Sequence, residues 1–261
     1  MPELPTIIIV SDPNIGDAIC AMHAAQVIAD ARHLVYLGSL NKEVEILMRP
    51  RNAKSLEEIP RSDLYHVKHL SIQNCFARWG RGLGTPEQHY LKEAGLPGVT
   101  IPKARIDLLE VFNPEKGRFE KPWIPQAGLV LAPFTQDRDR MWPIEKWTPV
   151  IDYFYKVGLP ITVVGAASDP QPWNGVDYYY GRPLSDVGYL MRNAEFGVLS
   201  IDSGPSRLAQ VVGVKRHVVL SPVIYPEAWV AEPESIQVRS LGFERPDWNP
   251  DEVIDAVLRG I

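Results

Sequence analysis

Asp202-Ser203-Gly204-Pro205-Ser206-Arg207 is the part of this chain best equipped for binding chemistry. It follows an apolar run, residues 196–201, that reads as a buried strand, and it leads into a segment that reads as a helix. Pro205 suits the first helical position, because its φ is already helical and its missing N–H would have had no partner there. Gly204 is then the expected N-cap, and the N–H groups of Ser206 and Arg207 are expected to point out of the helix start. Free amides at the positive end of a helix dipole attract anions. Arg207 adds a guanidinium fork that matches phosphate. Two readings stand side by side: a phosphate or pyrophosphate cradle, and an ordinary strand-to-helix turn with a surface arginine.

Three further loops fall after predicted strands. The first carries Gly16-Asp17, the second runs over residues 133–143 with Thr135, Arg140 and Trp142, and the third ends at Asp169. In open α/β sheets, loops at the carboxyl ends of parallel strands gather around one crevice. The inventory is one carboxylate in the first half and a set of arginine, hydroxyl and amide donors in the second. It suits activation of an acceptor hydroxyl and stabilisation of a departing diphosphate.

The elements that must position these groups alternate. Residues 6–10 are a β-branched run and read as a central strand. Residues 18–31 read as an alanine-rich amphipathic helix. Strands are expected at 34–37, 64–70, 128–132, 161–164, 178–180 and 217–220. Helices are expected at 42–47, 86–94, 144–157, 184–192 and 250–259. Residues 114–126 are rich in proline and charge without periodicity, and read as a linker. The expected layout is residues 1–124 as one Rossmann-like domain, 125–245 as a second and 246–261 as a C-terminal helix. Strands alternating with helices imply parallel sheets, here in two α/β domains facing a cleft.

Composition narrows the function classes. The chain has 261 residues, 45% apolar and 23% charged, with net charge −5. These values describe a globular protein and not a nucleic-acid-binding polycation. The excess acid lies wholly beyond residue 124, since fifteen Lys/Arg balance fifteen Asp/Glu before it. The stretch 49–81 is locally basic and reads as a solvated face or an anionic-partner surface. Cys20 and Cys75 have no metal or disulfide spacing, and Cys20 reads as core packing. No run approaches the ~20 apolar residues of a membrane span, and no secretory leader is evident, so a cytoplasmic location is expected. Gly80-Arg-Gly82-Leu-Gly84 resembles part of a dinucleotide fingerprint without its strand and helix context, and reads as a loop.

Several of these motifs, in this order, resemble one family. They are Trp142-Pro143-x-Glu145-x-Trp147, Gly165 with Asp169, Tyr180-Gly181-Arg-Pro-Leu184-Ser-Asp, and Asp202-Ser203-Gly204-Pro205 with Leu208-Ala209. Together they look like the donor domain of the lipopolysaccharide heptosyltransferases, which use ADP-heptose and have the GT-B fold. Ile15-Gly16-Asp17 is similar to that family's N-terminal signature, and Gln88-His-Tyr-Leu to Gly95-Leu-Pro resembles the segment before its linker.

The resemblance implies roles residue by residue. Asp17 matches the general base on the acceptor hydroxyl, with Gly16 beside it; its structural alternative is the N-cap of the first helix. Arg140 falls where the family has a lysine near the donor phosphates; its alternative is an exposed loop arginine. Asp169 falls near an acidic position that contacts the donor ribose or sugar; its alternative is a turn residue before Pro170. Asp202, Ser203, Gly204 and Ser206 match the pyrophosphate turn, with Arg207 where the family usually has histidine. Thr135 supports the donor loop, and Trp142 and Trp147 anchor it. Asp137-Arg138-Asp139 mimics a metal-binding DxD from another fold, but no metal and no cofactor beyond the donor is expected. The N-terminal domain is short for the family.

The function implied is a metal-independent, inverting glycosyltransferase with a nucleotide-diphosphate-sugar donor. Its acceptor would be a glycan or lipid-linked saccharide at the inner membrane surface. The alternatives are a nucleic-acid or other phosphorylated acceptor, and a non-catalytic nucleotide-sugar binding protein.

Overall fold

A computed structural model of the protein describes residues 5–31, 35–48, 53–59, 66–71, 86–96, 111–113, 118–120, 127–221, 235–239 and 247–259. The chain divides into two compact units. Met1–Ala104 with Tyr225–Val230 forms one, and Arg105–Ile224 with Ala231–Ile261 forms the other. Cys75, the Gly80–Gly84 motif and most of the basic stretch fall outside the described residues.

The first unit is built on β1 (Thr6–Val10), whose β-branched residues suit a central strand. It pairs in parallel with β2 (Val35–Ser39) and β4 (His66–Leu70), and β2 pairs with β3 (Ala53–Ser55). The sheet order is β3-β2-β1-β4. Helix α1 (Ile15–Asp30) follows β1, and α2 (Lys42–Met48) and α3 (Pro86–Glu93) pack against α1. Sequence periodicity predicts an amphipathic α1. In the fold α1 is buried at every position from Ala18 to Ala25. Its small alanines admit α2 and α3 on the side that would otherwise face water. Cys20 is part of that core.

The second unit carries a longer parallel sheet. Its strands are β7 (Leu129–Ala132), β8 (Ile161–Gly165), β9 (Asp177–Tyr180), β10 (Gly197–Ile201), β11 (His217–Ser221) and β12 (Ser235–Arg239), in the order β12-β11-β10-β7-β8-β9. Helices α4 (Ile144–Lys156), α5 (Leu184–Arg192), α6 (Gly204–Val211) and α7 (Pro250–Arg259) connect or follow these strands. One face of the sheet packs on α4 and α7. Leu199, Ile201, Val218 and Leu220 meet Val150, Ile151 and Phe154 of α4 and Val253 and Val257 of α7 there. Full burial of such side chains contributes roughly 1.5–3 kcal/mol each. The other face packs on α5 and α6.

The sequence reading missed four of the described strands, β3, β5, β6 and β12. β3 is only three residues long, too short for alternation to show, whereas β12 alternates polar and apolar residues and was passed over. β6 (Arg118–Glu120), inside the stretch that composition marks as a linker, pairs antiparallel with β5 (Val111–Asn113), which lies just before it. The rest of that linker lies outside the described residues. No helix among the described residues is long and apolar enough to cross a membrane.

Candidate functional site

In the second unit β10, β7 and β8 are adjacent and parallel. The segments that leave them, at 202–203, 133–143 and 166–169, therefore emerge along one edge of the sheet. Asp202 is the first residue beyond β10 and is 8% exposed. Its N–H donates to Leu220 O at 3.0 Å, and its carboxylate accepts from Ser221 Oγ at 3.1 Å. Burial pushes the Asp202 pKa up. The charges of Arg207 and Arg140 and the Ser221 hydrogen bond oppose that rise. The two arginines, 67 residues apart in sequence, thus act on one buried carboxylate.

The helix start differs from the sequence expectation. Ser203, not Gly204, is the N-cap of α6, and Gly204 is its first residue. Ser206 Oγ accepts from Ser203 N–H at 3.2 Å and donates to Ser203 O at 2.8 Å. The N–H groups of Ser206 and Arg207 do not point out. Both turn back to Ser203 O, at 3.1 and 3.3 Å. The outward backbone donor is Gly204 N–H, which has no partner among the described residues. A proline at the second helical position shifts the cap by one residue because neither of the first two positions needs an internal donor bond.

The 133–143 loop is ordered by its own polar groups. Thr135 Oγ1 accepts from Asp137 N–H at 3.3 Å, and Asp137 Oδ1 accepts from Asp139 N–H at 3.1 Å. Arg140 closes a short 3-10 turn, Arg138–Arg140, with Nε 2.9 Å from Asp137 Oδ2. Both oxygens of Asp137 are thereby engaged within the loop. Among the described residues no group of three or more His, Cys, Asp or Glu side chains is arranged to hold a metal. Trp142 is fully buried and packs edge-to-face on Trp147 and Trp248, with centroids 5.0 and 6.2 Å away. Trp142 is therefore an anchor for the loop.

Asp169 sits at the exit of β8. Its Oδ2 accepts from Ala166 N–H at 2.7 Å, folding the carboxylate back over the strand end. Gly165 makes room for it, since a Cβ there would stand 2.5 Å from Asp169 Oδ2. Beside it is an aromatic wall. Phe134 stacks on Trp173 at 5.9 Å and meets Tyr180 edge-on at 6.4 Å. Tyr180 Oη donates to Pro170 O at 2.9 Å, and burial, then Tyr178 and Asp169, raise its pKa.

In the first unit Gly16 and Asp17 are the second and third residues of α1, both half-buried. Asp17 is not the N-cap; that residue is Asn14. Asp17 lies within the first turn, where a carboxylate favours the helix dipole. The loop before it is pinned at both ends. Ser11 N–H and Oγ donate to Leu70 O at 3.1 and 3.3 Å, and Asn41 Nδ2 donates to Pro13 O at 3.0 Å. Asp12 is buried and accepts from Tyr90 Oη at 2.7 Å. Burial, Asp12 and, more weakly, Cys20 and Asp17 push the Tyr90 pKa far up, so the phenol remains a donor.

Asp12, Tyr90 and Ser221 escaped the sequence reading, as did the buried pair Ser200 and His217, whose Oγ and Nε2 lie 2.8 Å apart. Their signal was a polar residue beside an apolar run: Ser200 within β10, His217 opening β11, and Asp12 just past β1. Which of them face one another depends on strand order, which spacing alone does not reveal.

No protein-family model and no curated protein sequence matches the chain. Solved structures do. A glycosyl transferase family 9 protein from Veillonella parvula superposes with a TM-score of 0.71 at 14% identity, covering 98% of this chain and 97% of that one. The E. coli heptosyltransferase WaaC with ADP-2-deoxy-2-fluoro heptose gives 0.68 at 13% identity, with 98% and 100% covered. The iron-containing dodecameric glycosyltransferase TibC from enterotoxigenic E. coli gives 0.68 at 16%, with 93% and 64% covered. The chain has the fold of the heptosyltransferases. At these identities the likeness is one of fold: α/β units with parallel sheets, as the motifs implied, shared with the GT-B heptosyltransferases.

Proposed function

We propose that the protein is a glycosyltransferase that takes its sugar from a nucleotide diphosphate, with an ADP-sugar as the first donor to test. One observation carries the reading: Arg140 and Arg207 act on the buried Asp202 beside the Gly204 amide, at the carboxyl edge of a parallel sheet. In this reading Asp202 is a positioning anion. Its charge lies within reach of the two guanidinium groups, which, with the helix start, receive the diphosphate. The similarity to WaaC and TibC, solved with ADP or an ADP-heptose, supports the choice of nucleotide.

The chemistry proposed is inverting and independent of metal. Asp17 takes the proton of the acceptor hydroxyl, and the freed oxygen attacks the anomeric carbon as the carbon–oxygen bond to the diphosphate breaks. The diphosphate leaves with the bonding electrons, and the arginines neutralise it. Asp169 and the Phe134–Tyr180 wall flank the sugar or nucleoside. The acceptor in this reading is a glycan or lipid-linked saccharide reached from the cytoplasm.

The test is a thermal-shift panel of ADP, UDP, GDP and ADP-sugars, because a ligand that binds the folded state raises the melting point by mass action. An ADP-sugar should raise it in the native protein and in Asp17→Asn, and less in Arg207→Ala. Transfer to an acceptor extract should vanish in Asp17→Asn. A donor shift unchanged in Arg207→Ala would overturn the site, and transfer by Asp17→Asn would overturn the base.

A further inference from the structure

A pocket of about 350 Å³ opens at the opposite edge of the six-stranded sheet, lined by Arg192, Asn193, Ala194, Glu195, Lys215 and Arg216. These residues precede β10 and β11, whereas the Asp202 turn follows β10. Five strand residues separate the two ends, about 16 Å at the usual rise.

The pocket has a fixed floor. Glu195 N–H donates to Ala127 O at 3.1 Å, Gly197 N–H to Ala194 O at 3.3 Å and Val198 N–H to Arg216 O at 2.9 Å. Gly197 has φ +88°, and a Cβ there would stand 2.2 Å from Arg216 O. Only glycine lets the two turns approach so closely. The side chains they carry are therefore presented from a rigid base.

Lys215, Arg216 and Glu195 are not spent on one another. Three cations and one carboxylate line the pocket, yet Lys215, Arg216 and Glu195 form no ion pair among the described residues. Arg192 closes α5 and complements its carbonyl end. Lys215 and Arg216 lie beyond the end of α6, in the turn entering β11, where a helix dipole no longer reaches. Lys215 is exposed and Arg216 half-buried, and cations gathered on a concave surface draw anions to it. The volume lies within the range of small-molecule sites and exceeds what a bare phosphate fills.

We propose that this pocket binds a small phosphate-bearing anion, at a site separate from the donor turn and independent of the donor reading. The planar Arg216 fork suits phosphate oxygens, and Lys215 adds a point charge at the rim.

Backbone-amide NMR of the full chain, titrated with inorganic pyrophosphate, tests it. Saturable shifts are expected at residues 193–195 and 215–216, with affinity at least tenfold weaker in Lys215→Glu and in Arg216→Gln. Absence of saturable shifts at 193–195, or equal affinity in both variants, would overturn the proposal. Because shifts at 203–207 are read separately, failure of the donor site and failure of this pocket are distinguishable. Sedimentation with phosphatidylglycerol vesicles identifies the source. Retention lost in Lys215→Glu assigns the pocket to a lipid headgroup, whereas pyrophosphate binding without retention assigns it to a soluble phosphate compound.

Discussion

Ser200 Oγ and His217 Nε2 lie 2.8 Å apart on the face of the second sheet that packs on α5 and α6, and neither residue reaches solvent. Leu199, Ile201, Val218 and Leu220 point to the other face, so strand alternation puts this polar pair beneath the helix that carries Arg207. Burial, and then the Arg207 charge, press the His217 pKa down to about 3. The imidazole is neutral in the folded protein, which spares Arg207 a second positive charge below it.

The consequence for stability has a definite sign. An unfolded histidine titrates near 6.5, so between that value and about 3 the unfolded chain binds the extra proton. The His217 contribution is whole above pH 6.5 and is lost on acidification, at up to about 1.4 kcal/mol per pH unit. Asp202, with its raised pKa, works in the opposite direction. Denaturant unfolding at pH 7, 6, 5 and 4 should therefore show a steeper loss in the native protein than in His217→Gln. Parallel curves would refute the neutral buried histidine.

Tyr90→Phe removes the donor to Asp12 and leaves a buried carboxylate short of a partner. The expected loss is about 1–3 kcal/mol, measurable by urea unfolding. If Asp17 is the base, the same variant should lower kcat and leave the donor KM nearly unchanged, because the loop it pins leads into the turn that carries Asp17. A variant as stable as the native protein would show that the bond contributes nothing net.

Gly197 and Gly213 both have positive φ, +88° and +72°, yet their surroundings differ. A Cβ at 213 meets nothing within 4 Å, whereas at 197 it meets Arg216 O at 2.2 Å. Gly213→Ala should cost about 1–2 kcal/mol, the strain of the left-handed region alone. Gly197→Ala should cost at least twice as much, since the backbone of the β11 turn must move as well. Equal melting points for the two variants would contradict this packing.

Arg207 and Arg140 should contribute unequally to donor binding. Both are half-buried, Arg207 in the first part of α6 and Arg140 with a side chain 43% exposed and already shared with Asp137. Charge-assisted bonds in a desolvated place are worth about 1.5–3 kcal/mol, and exposed ones much less. Calorimetric titration with ADP should show a Kd roughly 10- to 100-fold higher in Arg207→Ala, and a smaller, more salt-sensitive change in Arg140→Ala. The reverse order would move the centre of the site toward the 133–143 loop.

The readability of these features follows their physical origin. Strand–helix alternation is local, so β1, α1, β7, α4, β10 and α6 could be read from periodicity and turn residues. The family motifs pointed to the Asp202 turn, and the parallel order β10-β7-β8 brought Arg140 to it. The N-cap was off by one residue, because proline fits either of the first two helical positions. Asp12–Tyr90 and Asp202–Ser221 join segments 78 and 19 residues apart, and no local pattern pairs them. α1 was misjudged as half-exposed because what covers it, α2 and α3, comes later in the chain.

Trp142, Trp147 and Trp248 touch edge-to-face beneath the arginine-bearing loop, and Trp173 lies 6.5 Å from Trp147. Trp248, just ahead of the last helix, thus shares a wall with the loop that follows β7. The protein carries its own optical reporter: a shift of that loop by even an ångström changes the surroundings of several indoles at once. If the Arg140 loop takes up the donor, ultraviolet emission will follow that occupancy in real time, without any label.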